Sequence, residues 1–302
     1  MKRVLRKKTK LNKGVFVRKA IPYMYVAPML LLLMIFSLWP FIQSVITSFY
    51  RDDGMLVREF VGFKNYLEIL FEDQMFWKSL KVLFYLFLGM NLCCLFPVIA
   101  AKMTCMLRSE KLQSIVRSIF TITTVVPSVV NLMIWKFIYY PGFGVVARIM
   151  DFFGKEYTSL LGNEATVIPA IIMIGFPWVS GMTYLMYCAT LKGIDCSIYE
   201  AAVIDGCSEW QIFKNIEVPI IAPTFLNFYV LGFIGQFHDY ERFLILTGGG
   251  PNGATTTPAL YMYNTAFGDA GSAQYGYASA IAMLLFIITF TLTRVIQKRG
   301  DN

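Results

Sequence analysis

The sequence carries few charged side chains. Only 15% of its 302 residues are charged, whereas 57% are hydrophobic. A soluble domain typically has about 25% charged and 45–50% apolar residues, so the composition excludes a free soluble enzyme, a disordered tail protein and a secreted disulfide scaffold. The apolar excess instead favours an integral membrane protein with several spans of about 20 residues each.

Histidine and nucleotide-binding motifs are also scarce. His238 is the single histidine, which excludes a multi-histidine metal site. No segment matches the phosphate-cradling pattern G-x-x-x-x-G-K-[ST], and no apolar span carries His, Glu or Asp clustered at catalytic spacing. We therefore expect a chain without catalytic residues, without a metal and without a cofactor of its own.

Hydropathy predicts an all-α, polytopic membrane protein with six transmembrane helices. The predicted spans lie at about 22–46, 79–101, 115–139, 166–190, 220–246 and 277–296. Prolines fall inside these spans, among them Pro28, Pro97, Pro127 and Pro177. Such prolines are tolerated where neighbouring helices or water satisfy the freed carbonyl groups, so they predict either static kinks or the joints of a bundle that moves.

Basic residues predict the orientation of the chain. Nine of its 27 Lys and Arg residues precede the first span, in a basic tail at 1–20 that is followed by one transmembrane domain at 21–302. Further basic residues flank spans two and three or follow span six: Lys102, Arg108, Lys111, Arg117, Arg294, Lys298 and Arg299. The positive-inside rule assigns this side, and both termini, to the cytoplasm. The net charge of +8 is thus an orientation signal and gives no reason to expect nucleic acid.

The cytoplasmic segment 195–219 is the most informative part of the sequence. Residues 200–205 can form one short helix, and Gly206 supplies a permissive backbone at its end. A second helix is predicted to carry its apolar face on Trp210, Phe213 and Ile216. Pro219 then fits the first turn of span five, where proline is tolerated.

The same segment is net acidic. Its charged residues are Asp195, Glu200, Asp205, Glu209 and Glu217 against Lys214, with Lys192 just before it. An acidic, amphipathic loop does not suit anionic lipid but does suit a protein partner, whose Arg or Lys side chains could meet the carboxylates. The plain alternative is a helical hairpin that only caps the bundle.

These residues resemble a known signature. Glu-Ala-Ala, three residues, Gly, nine residues, Ile, one residue and Leu-Pro form the coupling loop of ATP-binding-cassette (ABC) importer permeases. The chain matches this spacing from Glu200 to Pro219, with Val218 in place of Leu. The resemblance implies an ATPase-coupling role for Glu200, Ala201, Ala202, Asp205, Gly206, Ile216 and Pro219.

Other stretches resemble the carbohydrate-uptake branch of these permeases, the maltose- and glycerol-phosphate-type proteins. They are Val61-Gly62-Phe63-Lys64-Asn65-Tyr66, Leu246-Thr247-Gly248-Gly249-Gly250-Pro251 and Gly276-Tyr277-Ala278-Ser279-Ala280. The chain departs from that branch at the start of span two, where Val82-Leu83 stands in place of the frequent Asn-Thr.

The resemblance implies an importer that works as an assembly in the bacterial cytoplasmic membrane. Its partners would be a second homologous permease subunit, two cytoplasmic ATPase subunits that bind ATP and Mg²⁺, an extracellular solute-binding protein and a carbohydrate. An ion-coupled secondary transporter is the alternative, but it would need inverted repeats and an ion site near the midplane, and the sequence offers neither. A membrane-embedded enzyme ranks third.

Polar and aromatic side chains within the spans are candidates for the substrate pathway, because sugars are held by hydroxyl-matching polar groups and by flat aromatic faces. The candidates are Gln236, Trp178, Asp239, Asn131, Asn227 and Tyr184. The resemblance implies that spans four and five make the substrate contacts, with an amide near Gln236. Interhelical hydrogen bonding and interfacial anchoring are the alternative roles.

Overall fold

The computed structural model describes residues 13–54, 57–268 and 273–300, which are mostly helical. Most of the predicted basic tail, residues 1–12, lies outside the described residues. The amino-terminal half begins with a long rod that contains one π-helical turn, Met34–Leu38, and is followed by a short hairpin. Its elements are α1 (Lys13–Leu33), α2 (Trp39–Thr47), β1 (Tyr50–Asp52), β2 (Arg58–Phe60), α3 (Lys64–Phe71), α4 (Gln74–Cys93) and α5 (Phe96–Cys105). The two strands are antiparallel, with Tyr50 opposite Phe60.

The middle of the chain contains shorter helices than the sequence predicts. They are α6 (Glu110–Ile122), α7 (Ser128–Ile138), α8 (Val145–Phe152), α9 (Glu164–Met173) and α10 (Gly181–Lys192). The continuous helices predicted at 115–139 and 166–190 are therefore wrong. The first is interrupted before Pro127, since a proline pushes the preceding residue out of helical geometry. The second is interrupted by Gly175 and Trp178, which both have positive φ, around Pro177.

The carboxyl-terminal third contains the longest helix of the described residues. Its elements are α11 (Cys196–Ile204), α12 (Glu209–Ile212), a π-helical turn (Phe213–Glu217), α13 (Val218–His238), α14 (Glu241–Leu246), α15 (Pro258–Phe267) and α16 (Tyr275–Gly300). The span predicted at 220–246 ends early, at His238, because Asp239 is extended with ψ 95°. The second loop helix and span five, predicted as separate, form one unbroken rod through the π-helical turn.

Four helical stretches among the described residues are long and apolar enough to cross a membrane: Tyr23–Thr47, Gln74–Cys105, Glu209–His238 and Tyr275–Lys298. They correspond to predicted spans one, two, five and six. Ser128–Ile138 and Glu164–Met173 are apolar but shorter, so predicted spans three and four each consist of two helices.

A half-buried carboxylate junction fixes one end of the bundle. Asp73 caps α4 by accepting a hydrogen bond from the backbone N–H of Phe76 at 3.0 Å. Its second oxygen accepts from the hydroxyls of Tyr261 at 2.7 Å and Tyr277 at 2.8 Å. Burial, followed by the hydrogen bond to Asp73, raises the pKa of Tyr261, so the phenol stays protonated and donates. We call these three side chains the Asp73 junction; it ties together the beginnings of α4 and α16 and the middle of α15.

Candidate functional site

The helix α11 carries the Glu-Ala-Ala residues of segment 195–219. Asp195 caps it by accepting a hydrogen bond from the backbone N–H of Ser197 at 2.9 Å, and that bond holds the pKa of Asp195 below its usual value. A carboxylate at this position satisfies free backbone N–H groups and matches the helix dipole. Because of this cap, α11 begins at Cys196 rather than at Glu200.

The end of α11 is set by Gly206. Gly206 has φ +74°, a left-handed conformation that glycine adopts without a steric penalty. Its N–H donates to the carbonyl of Val203 at 3.0 Å, and the N–H of Cys207 donates to the carbonyl of Ala202 at 2.9 Å. This pair of bonds is a Schellman motif, which closes a helix and turns the chain sharply.

One face of α11 is open to its surroundings. Ile204 is 85% exposed and Val203 65% exposed, and Glu200 and Ala201 are exposed beside them. We call these four side chains the exposed α11 face. Ala202 points the other way and is buried, so the two alanines of the signature have different surroundings. An apolar patch next to carboxylates on a helix tip is suited to docking on a protein.

The second half of the segment begins with a capping box, in which Ser208 and Gln211 satisfy each other's backbone N–H groups. In α12, the apolar side chain of Ile212 is buried, whereas that of Trp210 is 68% exposed. The rings of Trp210 and Phe213 nevertheless lie 5.6 Å apart, so the prediction that these two residues share an apolar face is confirmed, although the face is not buried at Trp210.

Glu217 is buried rather than part of the acidic surface. Its Oε1 accepts from Lys102 Nζ at 2.6 Å and from the Tyr199 hydroxyl at 3.0 Å, and the residue is 2% exposed. Burial, followed by the charge of Glu217, raises the pKa of Tyr199, so Tyr199 remains a donor. Of the five acidic residues expected on this surface, four are exposed.

Segment 195–219 rests on a packed core. The core joins α5, α10 and α13 and consists of Ala101, Tyr184, Tyr187, Cys188, Leu191, Ile194 and Ile221. Because close-packed side chains transmit displacement with little compression, a movement of this segment reaches three helices of the bundle.

Two of the candidate pathway residues serve packing in this structure. Tyr184 is fully buried and donates to the Thr104 hydroxyl at 2.8 Å. Trp178 donates its indole N–H to the carbonyl of Ile172 at 2.7 Å, which satisfies a group freed by the break between α9 and α10. Its ring lies 4.8 Å from that of Phe96. Both side chains are thus occupied within the chain.

The other four candidates differ in their surroundings. Asn131 and Asn227 are exposed and Gln236 is half-buried, and no hydrogen bond is formed by these three side-chain amides within the described part of the chain. Asp239 is paired with Arg242 at 3.0 Å. The free amides are available to a ligand or to a neighbouring subunit, while the carboxylate already has a partner.

Several well-organised groups had no signal in the sequence. Thr255, Thr256 and Thr257 are buried. Thr255 bonds the Thr247 hydroxyl at 2.6 Å, and Thr256 donates to the carbonyl of Gly249 at 3.2 Å, so these side chains brace the triple-glycine turn. The Asp73 junction and the Lys102–Glu217 pair join residues more than 100 positions apart, which a one-dimensional pattern cannot reveal. Among the described residues, no His, Cys, Asp or Glu side chains gather in a group that could hold a metal ion.

Comparisons with known proteins identify a family for this chain. The family "Binding-protein-dependent transport system inner membrane component" matches residues 94–300. The trehalose/maltose transport system permease protein MalF of Thermococcus litoralis is 27% identical over 281 residues, 92% of each chain. The multiple sugar-binding transport system permease protein MsmF of Streptococcus mutans is 31% identical over 263 residues, 86% of this chain and 88% of that one.

A solved structure shares the fold. It is a bacterial ABC transporter involved in the import of the acidic polysaccharide alginate, with a TM-score of 0.83 at 20% identity, and the match covers 95% of this chain and 97% of that chain. The family match covers more than half of this sequence and includes the whole of segment 195–219. The chain therefore belongs to the binding-protein-dependent transport system inner membrane components, the permease subunits of ABC importers.

Proposed function

We propose that the chain is the permease subunit of an ATP-driven sugar importer of the bacterial cytoplasmic membrane, in which it forms half of the translocation pathway. The names of its relatives, a trehalose/maltose and a multiple-sugar permease, support a carbohydrate as substrate. The L-T-G-G-G-P stretch at 246–251 supports the same substrate class.

The proposed topology has six membrane crossings and both termini in the cytoplasm. Four crossings are the long helices, and the pairs α6–α7 and α9–α10 supply the other two. The Asp73 junction joins the starts of α4 and α16, so the carboxyl end of α16 runs toward the same side as the end of α5. That side carries segment 195–219 and the basic residues after span two, which supports a cytoplasmic assignment. The basic tail at 1–20 would lie there as well.

The observation that carries the proposal is the exposed α11 face, which is held on the packed core of α5, α10 and α13. Its apolar tip and adjacent carboxylates suit a groove rimmed by Arg or Lys on one of the two ATPase subunits, which bind the ATP and Mg²⁺. Glu200 and Ala201 make the contact, Ala202 packs inward, and Gly206 sets the turn. Asp205, Ile216 and Pro219 shape the return into α13.

In the proposed cycle, ATP binding closes the two ATPase subunits and displaces segment 195–219. The core beneath it moves α10 and α13 against a second permease subunit, and the pathway opens alternately to either side. A solute-binding protein delivers the sugar on the outer side. Gln236, Asn227 and Asn131 are the polar groups that remain free to meet it, whereas Asp239, Trp178 and Tyr184 orient the helices around them.

The exposed α11 face is tested by Ile204→Glu in the tagged chain, co-expressed with an ATPase subunit of this importer family. Since Ile204 is 85% exposed, the substitution leaves the fold intact but adds an unpaired charge to the docking contact. We expect co-purified ATPase to fall by about tenfold or more, as for central interface positions. The measurement is the ratio of ATPase to permease on the affinity resin.

Met106→Glu is the matched control, because Met106 is also exposed and lies at the same end of the bundle, after α5. It should retain the ATPase. If the wild-type chain captured neither an ATPase nor a second permease, the importer proposal would be wrong, and an ion-coupled transporter would become the better reading.

A further inference from the structure

Glu217 occupies a position to which the coupling signature assigns no residue type, between Ile216 and Val218. It is nevertheless the most thoroughly buried carboxylate in segment 195–219, at 2% exposure. Its two hydrogen-bond donors come from different elements, since Lys102 lies in the last turn of α5 and Tyr199 lies in α11. One oxygen therefore joins α5, α11 and the turn that leads into α13.

This arrangement is poorly explained by stability alone. Removing two charges from water offsets most of their attraction, so a buried ion pair is often no more stabilising than apolar residues of the same size. Glu217 Oε2 is also buried, and it has no hydrogen-bond partner among the residues that the structure describes, which adds a further cost. In some proteins such a group specifies one geometry rather than adding stability.

The chain connectivity indicates that the geometry in question is the position of α5 relative to segment 195–219. Segment 195–219 continues covalently into α10 on one side and α13 on the other. No backbone link joins it to α5, which belongs to a span more than 90 residues away in the sequence. The only ion pair between α5 and this segment, within the described residues, is Lys102–Glu217. The Lys102 ammonium also lies 5.8 Å from the centre of the Phe213 ring, over the π-helical turn.

We propose that Lys102, Tyr199 and Glu217 form a polar latch that makes the end of α5 move as one body with α11. Glu217 is a positioning residue: it passes displacement of the coupling segment to span two, besides the two spans to which that segment is covalently joined. The inference rests on the proposed function for the source of that displacement, the ATPase.

The latch is tested by the distance between α5 and α11 in the assembled transporter in nanodiscs. Spin labels are attached to p-acetylphenylalanine at Met103 of α5 and at Cys196 of α11, both exposed. Distances are measured by double electron–electron resonance without nucleotide and after trapping with ATP and vanadate. In the otherwise unchanged chain, we expect one narrow distance that is the same in both states.

Glu217→Leu should broaden the distribution of distances between the two labels and make it differ between the two states. Glu217→Gln, which keeps an acceptor for Tyr199, should restore part of the narrow distribution. The double variant Lys102→Met with Glu217→Leu replaces the buried pair by apolar side chains, so it folds stably even if the single variant does not, yet it should remain broad. Lys214→Met, which removes an exposed lysine of the same segment, should stay narrow.

The ATPase activity of the same samples gives a second measure. We expect ATP hydrolysis in the double variant to fall about fivefold or more, the lower range of coupling between distant sites, with unchanged co-purification of the ATPase. A double variant with a narrow, state-independent distance would overturn the latch. A wild-type chain that binds no ATPase would contradict the proposed function instead, and the distance widths without nucleotide would still decide for or against the latch.

Discussion

Single carboxylates organise both ends of this bundle. At one end, Asp73 receives three hydrogen bonds from α4, α15 and α16; at the other, Glu217 receives two from α5 and α11. A carboxylate can accept about four hydrogen bonds, so one side chain can join several helices whose backbones are already satisfied. In both places the residue fixes the relative position of helix ends rather than the helices themselves.

Asp73→Asn should weaken the Asp73 junction. The amide keeps one acceptor oxygen, but it cannot accept from the N–H of Phe76 and from both phenols as well as the carboxylate does. We expect a loss of about 1 kcal/mol, the typical net contribution of one hydrogen bond, because these side chains are half-buried. The loss should appear as a lower Tm of the purified chain in detergent.

Glu72→Gln is the control for this change, because Glu72 is the neighbouring residue and is exposed. It should leave Tm unchanged. Equal Tm values for Asp73→Asn and the unaltered chain would mean that the junction does not hold these helix ends together.

Helix interruptions define the elements of this protein as much as its helices do. Pro127 begins α7, and the stretch around Pro177 separates α9 from α10. Gly206 closes α11 with a Schellman motif. Each interruption changes the direction of the chain at a residue whose backbone cannot continue a helix, or does so only at a cost.

Gly206→Ala should loosen the end of α11. A side chain at φ +74° costs about 1–2 kcal/mol, and the added Cβ would meet no atom within 4 Å, so backbone strain is the only penalty. We expect faster hydrogen exchange at the backbone N–H of Cys207 and in the last turn of α11. Insertion of the chain into the membrane should be unchanged. Exchange measured by mass spectrometry checks this.

Gly232→Ala provides the matched comparison. Its added Cβ also meets nothing within 4 Å, but its φ is not in the left-handed region. It should leave exchange in α11 unchanged. If both variants behaved like the unaltered chain, Gly206 would not be the residue that holds the α11 turn.

The sequence was sufficient for elements with a long uniform pattern and for the turn at Gly206. Spans one, two and six are predominantly apolar over 20 or more residues, and this length alone identifies them. Spans three and four were predicted as continuous because hydropathy averages over a window and does not register a break at Pro127 or Gly175. Glu217 was assigned to the surface because its charge is visible in the sequence, whereas its partner Lys102 is distant in it.

At the scale of the whole molecule, the two ends of the bundle are stabilised by different interactions among the described residues. The end near the Asp73 junction is braced by hydroxyls and carboxylates, and the end near segment 195–219 rests on an apolar core with a buried ion pair. Between them, α13 carries amides with free hydrogen-bonding groups at Asn227 and Gln236. A transport path between two fixed ends needs such groups where the helices face a partner subunit or a ligand.

Gln236→Leu should weaken sugar uptake while the assembly stays intact. Loss of one hydrogen bond to substrate, about 1.4 kcal/mol, raises KM about tenfold. Uptake of radiolabelled maltose and glycerol 3-phosphate by proteoliposomes with the solute-binding protein checks this, alongside the amount of co-purified ATPase.

Gln43→Leu is the comparison, since Gln43 is a half-buried amide on α2, outside the spans proposed to contact substrate. It should leave KM unchanged. Unaltered uptake in Gln236→Leu would assign Gln236 to contacts between helices instead.

The unbroken rod from Glu209 to His238 gives the molecule a mechanical property. Its 30 residues extend about 45 Å, whereas the hydrocarbon core of a bilayer is about 30 Å thick. A rod that crosses the bilayer along its normal would therefore exceed the lipid by about 15 Å, and in the proposed topology this excess lies at the cytoplasmic end, next to the exposed α11 face. If the rod pivots at the membrane boundary, its arm inside the lipid is about twice as long as its arm outside. A small displacement of Glu209 would then produce a displacement of Gln236 that is roughly twice as large.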